Sequence, residues 1–174
     1  VFDTKTWTRI RVFPLKGCIA DADITADGRT MVISNMTTGF DLYDVESMSS
    51  MGTYKHDVAA LRMVPVTFIH GGNAVASSST VGEAHLWDVK TCCGIHTLPL
   101  QQKDHVLAMD AFYDRRKDRF FIATAIYNPT TEDAVVIWKT ERLGGEENVK
   151  RSQTMKAVFN ASLGIRQLVK YVVD

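Results

Sequence analysis

The sequence predicts an all-β fold of small antiparallel sheets set side by side, and two observations carry that prediction. First, an aromatic residue followed by a charged one closes a short apolar run four times, at Phe2-Asp3, Tyr43-Asp44, Trp87-Asp88 and Trp138-Lys139. Successive closings lie 41, 44 and 51 residues apart, and a period of about 40 to 45 residues marks a repeat architecture whose unit is a four-stranded sheet. Second, residues 31–34, 74–77 and 120–125 are β-branched, aromatic or small and are bounded by Gly, Asp or Asn, which is how strands read in sequence. No long helical period interrupts residues 1–142.

The elements follow in order. Residues 1–18 are read as the end of one unit, with Val1 to Asp3 and Arg9 to Phe13 as its last strands. Residues 19–56 make a full unit, in which Thr25-Ala26-Asp27-Gly28-Arg29 turns between the first two strands. A second full unit spans residues 57–102: Gly71-Gly72-Asn73 is its hairpin turn, Ala76-Ser77-Ser78-Ser79 its small-residue strand and His85-Leu86-Trp87-Asp88 its closing strand. Residues 103–142 give an incomplete unit with a charged turn at 114–119, and 143–174 a linker and a C-terminal amphipathic segment. In that last segment Met155, Val158, Phe159, Ser162, Ile165, Leu168, Val169 and Val172 recur at spacings of three and four, which predicts a helix over 155–173 packed on the flank of the sheets. The alternative is that Ser152 to Phe159 supplies the missing fourth strand of the last unit.

These phased closings and turns resemble the WD-repeat β-propeller family, the best copy being the unit that ends in Trp87-Asp88. The resemblance implies a partial, open propeller of four-stranded antiparallel blades. It also implies that His56, Ser77 and Trp87 fill three places of a hydrogen-bonded set inside the sheet, while Thr80 and Val81 stand where the family has Asp. Asp88, Tyr43, Asp44, Trp138, Asp27 and Gly28 carry the repeat elsewhere, and Trp7, Trp87 and Trp138 are read as core residues. Because propellers run to about four to eight blades, the chain is expected to be a fragment of a larger protein. Its open edges then invite self-association.

Composition narrows the function. With 45% apolar residues in 174, the chain can bury roughly 70% of its unfolded surface. Twenty basic and 20 acidic side chains cancel, leaving no clustered cationic footprint for a phosphate backbone, so nucleic acid is not an expected partner. No apolar run approaches the roughly 20 residues that cross a bilayer, and membrane contact is not expected. Three cysteines, Cys18 and the adjacent Cys92 and Cys93, argue against a disulfide framework and for the cytoplasm ahead of the nucleus. Asn35-Met36-Thr37 and Asn160-Ala161-Ser162 match the glycosylation triplet, a pattern common by chance.

Chemistry is sparse. Ser77 to Ser79 with His56-Asp57 or Asp104-His105 offers hydroxyls, imidazoles and carboxylates, but no Gly-x-Ser-x-Gly elbow presents a nucleophile. The five histidines are scattered without zinc-ligand spacing, and Gly71-Gly72-Asn73 lacks the Lys-Ser/Thr of a phosphate loop. The chain is therefore expected not to be an enzyme and to use neither cofactor nor metal. Function is expected on the loops at one rim, as a protein-interaction scaffold for a protein or peptide partner. The resemblance places Lys55, His56, Asp57, Lys103, Asp104 and His105 in loops between blades, and Met36, Thr37, Thr80, Glu83, Tyr127 and Asn128 in the turns before third strands. The rival expectation is an accessory propeller of a multidomain enzyme, an NTPase, kinase or ubiquitin-ligase component, with its catalytic module outside this chain.

Overall fold

A strand that is small or β-branched at successive positions, as in Ala74–Ser78, buries both faces and needs cover on each, and here that cover is another sheet. The structure, a computed structural model, describes residues 1–55, 63–79, 82–101, 103–114, 116–117, 119–131, 133–140 and 168–173. They form three four-stranded antiparallel sheets, each with its strands in chain order. The first holds β1 (Ile19–Ile24), β2 (Thr30–Asn35), β3 (Gly39–Asp44) and β4 (Ser50–Tyr54). The second holds β5 (Val66–Ile69), β6 (Ala74–Ser78), β7 (Glu83–Asp88) and β8 (Gly94–Pro99). The third holds β9 (His105–Asp114), β10 (Arg119–Tyr127), β11 (Ala134–Thr140) and β12 (Leu168–Val173). The inner strand β5 packs between β1 and β9, which sets the three sheets side by side in an unclosed row.

Register makes the repeat physical. Tyr43 pairs with Met31, Trp87 with Val75 and Trp138 with Ile122, while the residues just before them, Leu42, Leu86 and Ile137, pair with Val32, Ala76 and Ala123. Successive side chains point to opposite faces, so each sheet turns its aromatic closing residue one way and its aliphatic neighbour the other. Two cores result. Val32, Leu42 and Tyr54 of the first sheet meet Val66, Val75 and Trp87 of the second, with the Tyr54 and Trp87 rings 5.4 Å apart. Leu86, Ala76 and Leu98 of the second sheet meet Ile122, Phe120 and Trp138 of the third. Inside the second sheet Trp87 Nε1 donates to Ser77 Oγ at 2.8 Å, two members of the set expected there; His56 and Thr80 lie outside the described residues.

The Asp of each closing pair has a turn to hold. Asp3, Asp44 and Asp88 accept through Oδ1 from main-chain N–H groups two or three residues on, at Lys5 and Thr6, at Ser47, and at Lys90 and Thr91. Those bonds hold all three carboxyls below the usual range. Four residues after each Asp comes a residue with positive φ, namely Trp7 (54°), Met48 (60°) and Cys92 (55°). This left-handed region suits glycine and strains other residues. In the turn between β1 and β2, Asp27 accepts from Thr25 Oγ1 at 2.6 Å and from Arg29 N–H, and Gly28 takes φ of 72°.

Two expectations need correction. Trp7 is not a core residue: it is 76% exposed at the tip of a short hairpin bridged by Phe2 and Arg9, because its left-handed backbone carries the ring away from any sheet. The C-terminal helix is not found over its last six residues either. Leu168–Val173 is strand β12, paired antiparallel with β11 from Thr140 to Val135; its run of β-branched residues fits an edge that needed a partner better than a helix turn. Met155 to Gln167, and with them the alternative strand at Ser152 to Phe159, lie outside the described residues. No helix among the described residues is long and apolar enough to cross a membrane.

Trp138 is 2% exposed whereas Trp87 is only half-buried. Trp138→Ala should therefore destabilise the chain by about 3–5 kcal/mol and by more than Trp87→Ala does, read as midpoints of urea denaturation. Met48→Gly should relieve the left-handed strain and raise stability by roughly 1 kcal/mol in the same measurement.

Candidate functional site

Polar residues that enter a sheet stack at its rim must be bonded or they would destabilise it, and at one rim they are. In the turns between second and third strands, Asn35 and Asn128 each accept through Oδ1 from the N–H two residues on, at Thr37 and Thr130. Each donates through Nδ2 to the loop entering its own sheet: Asn35 to the Lys16 carbonyl at 3.1 Å, Asn128 to Asp104 Oδ1 at 2.7 Å. Asp104 Oδ2 accepts from Gln101 N–H at 2.6 Å. In the first sheet the buried Asp41 carboxylate collects Asn35 Nδ2, Thr38 Oγ1 and Thr53 Oγ1. The corresponding turn of the second sheet uses Ser79 Oγ, which accepts from Glu83 N–H. There Gly82 (φ 82°) brings the backbone so near the next loop that a Cβ would stand 3.0 Å from the Gln101 carbonyl oxygen.

These clasps brace a groove of about 570 Å³ between the second and third sheets, lined by Met63, Val64, Ser79, His105, Val106, Leu107, Tyr127 and Pro129. Its floor includes buried Val64 and Val106, while Met63, Leu107 and Tyr127 stand 76%, 68% and 43% exposed at its lip. The His105 and Tyr127 rings stack at 6.3 Å and 20°. A bulge explains Leu107: the β9–β10 register shifts between the Ala108 and Val106 pairs, leaving Leu107 unpaired, and bulges characteristically re-aim a side chain in this way.

The expected partner-facing residues divide. Tyr127 lines this groove and Lys103, exposed with φ of 72°, lies in the loop beside it. Glu83 lies 3.4 Å from His85 Nε2; burial lowers the His85 pKa and Glu83 opposes that shift. Met36 and Thr37 sit at the turn of the first sheet and Lys55 follows β4, away from the groove lining. Asp104 and Asn128 are corrected to buried bracing residues, 4% and 3% exposed, since their polar atoms are spent on each other and on adjacent main chain. Asp57, Thr80 and His56 lie outside the described residues. Sequence reasoning missed Met63, Leu107 and Pro129; consecutive apolar residues at Val106-Leu107, which break strand alternation, were the available signal.

Cys92 is not set up as a nucleophile. Burial, then Cys93 and Asp88, push the Cys92 thiol up, the reverse of what a nucleophile needs. Among the described residues no group of three or more His, Cys, Asp or Glu side chains could hold a metal ion.

Solved structures share this fold. The RRP9 WD40 repeats superpose with a TM-score of 0.55 at 19% identity, covering 69% of this chain and 33% of that one. The chain has the fold of a partial WD-repeat β-propeller. U3-55K superposes with a TM-score of 0.61 at 18% identity over 79% of this chain and 41% of that one. This partial propeller thus spans less than half the length of either structure. No protein-family model matches the sequence, and no curated protein matches it.

The Asn128 amide is a buried partner of the Asp104 carboxylate in the propeller's rim. Asn128→Ala should destabilise the fold by about 1–3 kcal/mol, a loss visible as a lowered thermal midpoint, whereas Thr37→Ala at the exposed turn should shift it little.

Proposed function

We propose that this partial propeller is a non-catalytic protein-interaction scaffold and that the groove between its second and third sheets receives an extended partner segment bearing an apolar or aromatic anchor. The observation that carries the reading is a concave, largely apolar groove whose lip exposes Met63, Leu107 and Tyr127. Large apolar side chains held open on rigid sheets are characteristic of binding sites. His105 and the Tyr127 hydroxyl supply polar groups at the lip, and Asp104, Asn128 and Ser79 keep the walls in place beneath them. The WD-repeat fold of RRP9 and U3-55K supports the scaffold reading at the level of architecture. An intracellular setting is part of the proposal, because Cys18, Cys92 and Cys93 are all free thiols and structural disulfides mark oxidising compartments.

Selection of displayed peptides on the immobilised chain tests it. Enriched sequences should share an apolar or aromatic anchor and should bind Leu107→Lys at least about tenfold more weakly, the effect of losing a hot-spot contact. Peptides that bind Leu107→Lys as tightly as the unaltered chain would refute the groove as the site.

A further inference from the structure

A carboxylate ties β1 to β5, nothing equivalent ties β5 to β9, and a cavity stands beside that gap. Pairing places Asp23 opposite Val32, Thr67 opposite Ala76 and Asp110 opposite Ala123, so the three hold the same position in their strands. Asp23 Oδ2 reaches across to the second sheet, accepting from Phe68 N–H at 2.7 Å and from Thr67 Oγ1 at 3.0 Å. Thr67 has a hydroxyl where Asp23 has a carboxylate, and that hydroxyl is turned back to Asp23. The cavity, of about 380 Å³, draws its walls from β1, β5 and β9 together. It takes the later residues of β9, Asp110 to Tyr113, whereas the groove takes His105 to Leu107 at the start of the same strand. The two sites therefore lie at opposite ends of the inner strands.

Two carboxylates, Asp23 and Asp110, and five aromatic residues, Phe68, Phe112, Tyr113, Phe120 and Phe121, line the cavity, and no lysine or arginine does. Only one of the carboxylates is spent. Asp23 commits Oδ1 to Ile24 N–H and Oδ2 to β5. Asp110 Oδ1 accepts from Ala111 N–H at 2.8 Å, but its Oδ2 has no hydrogen-bond partner among the described residues, and the side chain is exposed. The aromatic walls are held by one another. The Tyr113 and Phe120 rings stack at 4.5 Å with His70 set edge-on to both, and the Phe112 and Phe121 rings stand 6.4 Å apart. At the first sheet's side the wall is the turn at Gly72 (φ 92°), where a Cβ would come within 2.8 Å of Thr25 Cγ2.

Carboxylates without a cationic partner repel anions and attract cations, and aromatic rings add to that attraction. The open oxygen of Asp110 calls for an N–H donor, because a charge-assisted hydrogen bond is about twice as strong as a neutral one. A quaternary ammonium would leave that oxygen unbonded. A bare metal ion is poorly served as well, since among the described residues no group of three or more His, Cys, Asp or Glu side chains could hold one. The volume lies in the range of roughly 300–1,000 Å³ common to small-molecule sites, and ring-lined walls suit an aromatic body better than an alkyl stem. We propose that this cavity binds a free small organic cation, a protonated amine that donates an N–H to Asp110 and lays an aromatic body against the surrounding rings. This site does not depend on the reading of the groove.

The probe is phenethylammonium, titrated into the full chain and followed by saturation-transfer NMR of the ligand. Saturable binding is expected, at least about tenfold tighter than that of 2-phenylethanol, which has the ring without the charge, and tighter than that of the trimethylated ammonium. Asp110→Asn should weaken it at least about tenfold and, the side chain being exposed, keep the thermal midpoint of the unaltered chain. Glu46→Gln, which removes a charge from a turn outside the cavity, should bind as the unaltered chain does. Absence of saturable binding overturns the proposal, as does equal binding of the alcohol or of the trimethylated ammonium. Binding indifferent to Asp110→Asn, or weakened as much by Glu46→Gln, overturns it too. Tighter binding of Nα-acetyl-lysine amide than of phenethylammonium would overturn the choice of a free ligand in favour of a protein side chain.

Discussion

Each described sheet presents an apolar face that it has too few residues to cover alone, so burial can be completed only by a neighbour. That constraint fixes the rest. With about 25 cal/mol gained for each Å² of apolar surface buried, a face of Leu86, Ala76 and Leu98 has a large stake in the sheet that follows it. The match is achieved by keeping the same register from sheet to sheet, Trp87 over Val75 and Trp138 over Ile122. Small residues such as Ala74, Ala76 and Ala84, fully buried, let the sheets approach closely. Larger side chains there would force them apart, and closure of the cores depends on this alternation of small and large.

Polar bonds act on a different problem, that of where the sheets stop sliding. Hydrophobic contact is non-directional, so an aliphatic interface alone leaves neighbouring sheets free to shift along their strands. The Asp21 and Asp23 bonds to β5 pin the first sheet against the second, and Asn128 and Gln101, both bonded to Asp104, hold the third sheet's turn to the loop that enters it from the second. The groove between the second and third sheets has a defined shape because its walls are fixed in this way, and recognition by a rigid concavity needs that definition.

Much of this was legible in the residues. Aromatic-acidic pairs a blade apart carried the architecture, and Asp27-Gly28 and Gly71-Gly72-Asn73 marked turns because only certain residues tolerate those backbone angles. Two misreadings have physical causes. Spacing alone does not separate a helix from an edge strand when β-branched residues crowd the end, as at Tyr171-Val172-Val173, and Trp7 shows that a Trp can occupy a turn. The site was less legible, since burial of Asp104 and Asn128 is a tertiary fact: two polar residues in a loop read as solvated until their mutual bond is seen. Met63 and Leu107 were hidden for the converse reason, being apolar residues that a pattern reading assigns to the interior.

The side-chain amide of Asn35 is fully committed to Asp41 and the Lys16 carbonyl, and the residue is 5% exposed. The same nitrogen is the atom to which an oligosaccharide would be joined in the triplet it begins. Attachment would replace one of its two N–H donors, breaking the bond to the buried Asp41 carboxylate or the bond to the Lys16 carbonyl, and would force a bulky polar chain between packed strands. Sugar at this position and the folded first sheet are therefore mutually exclusive, and any passage of this chain through a glycosylating compartment would have to leave Asn35 bare for the sheet to form.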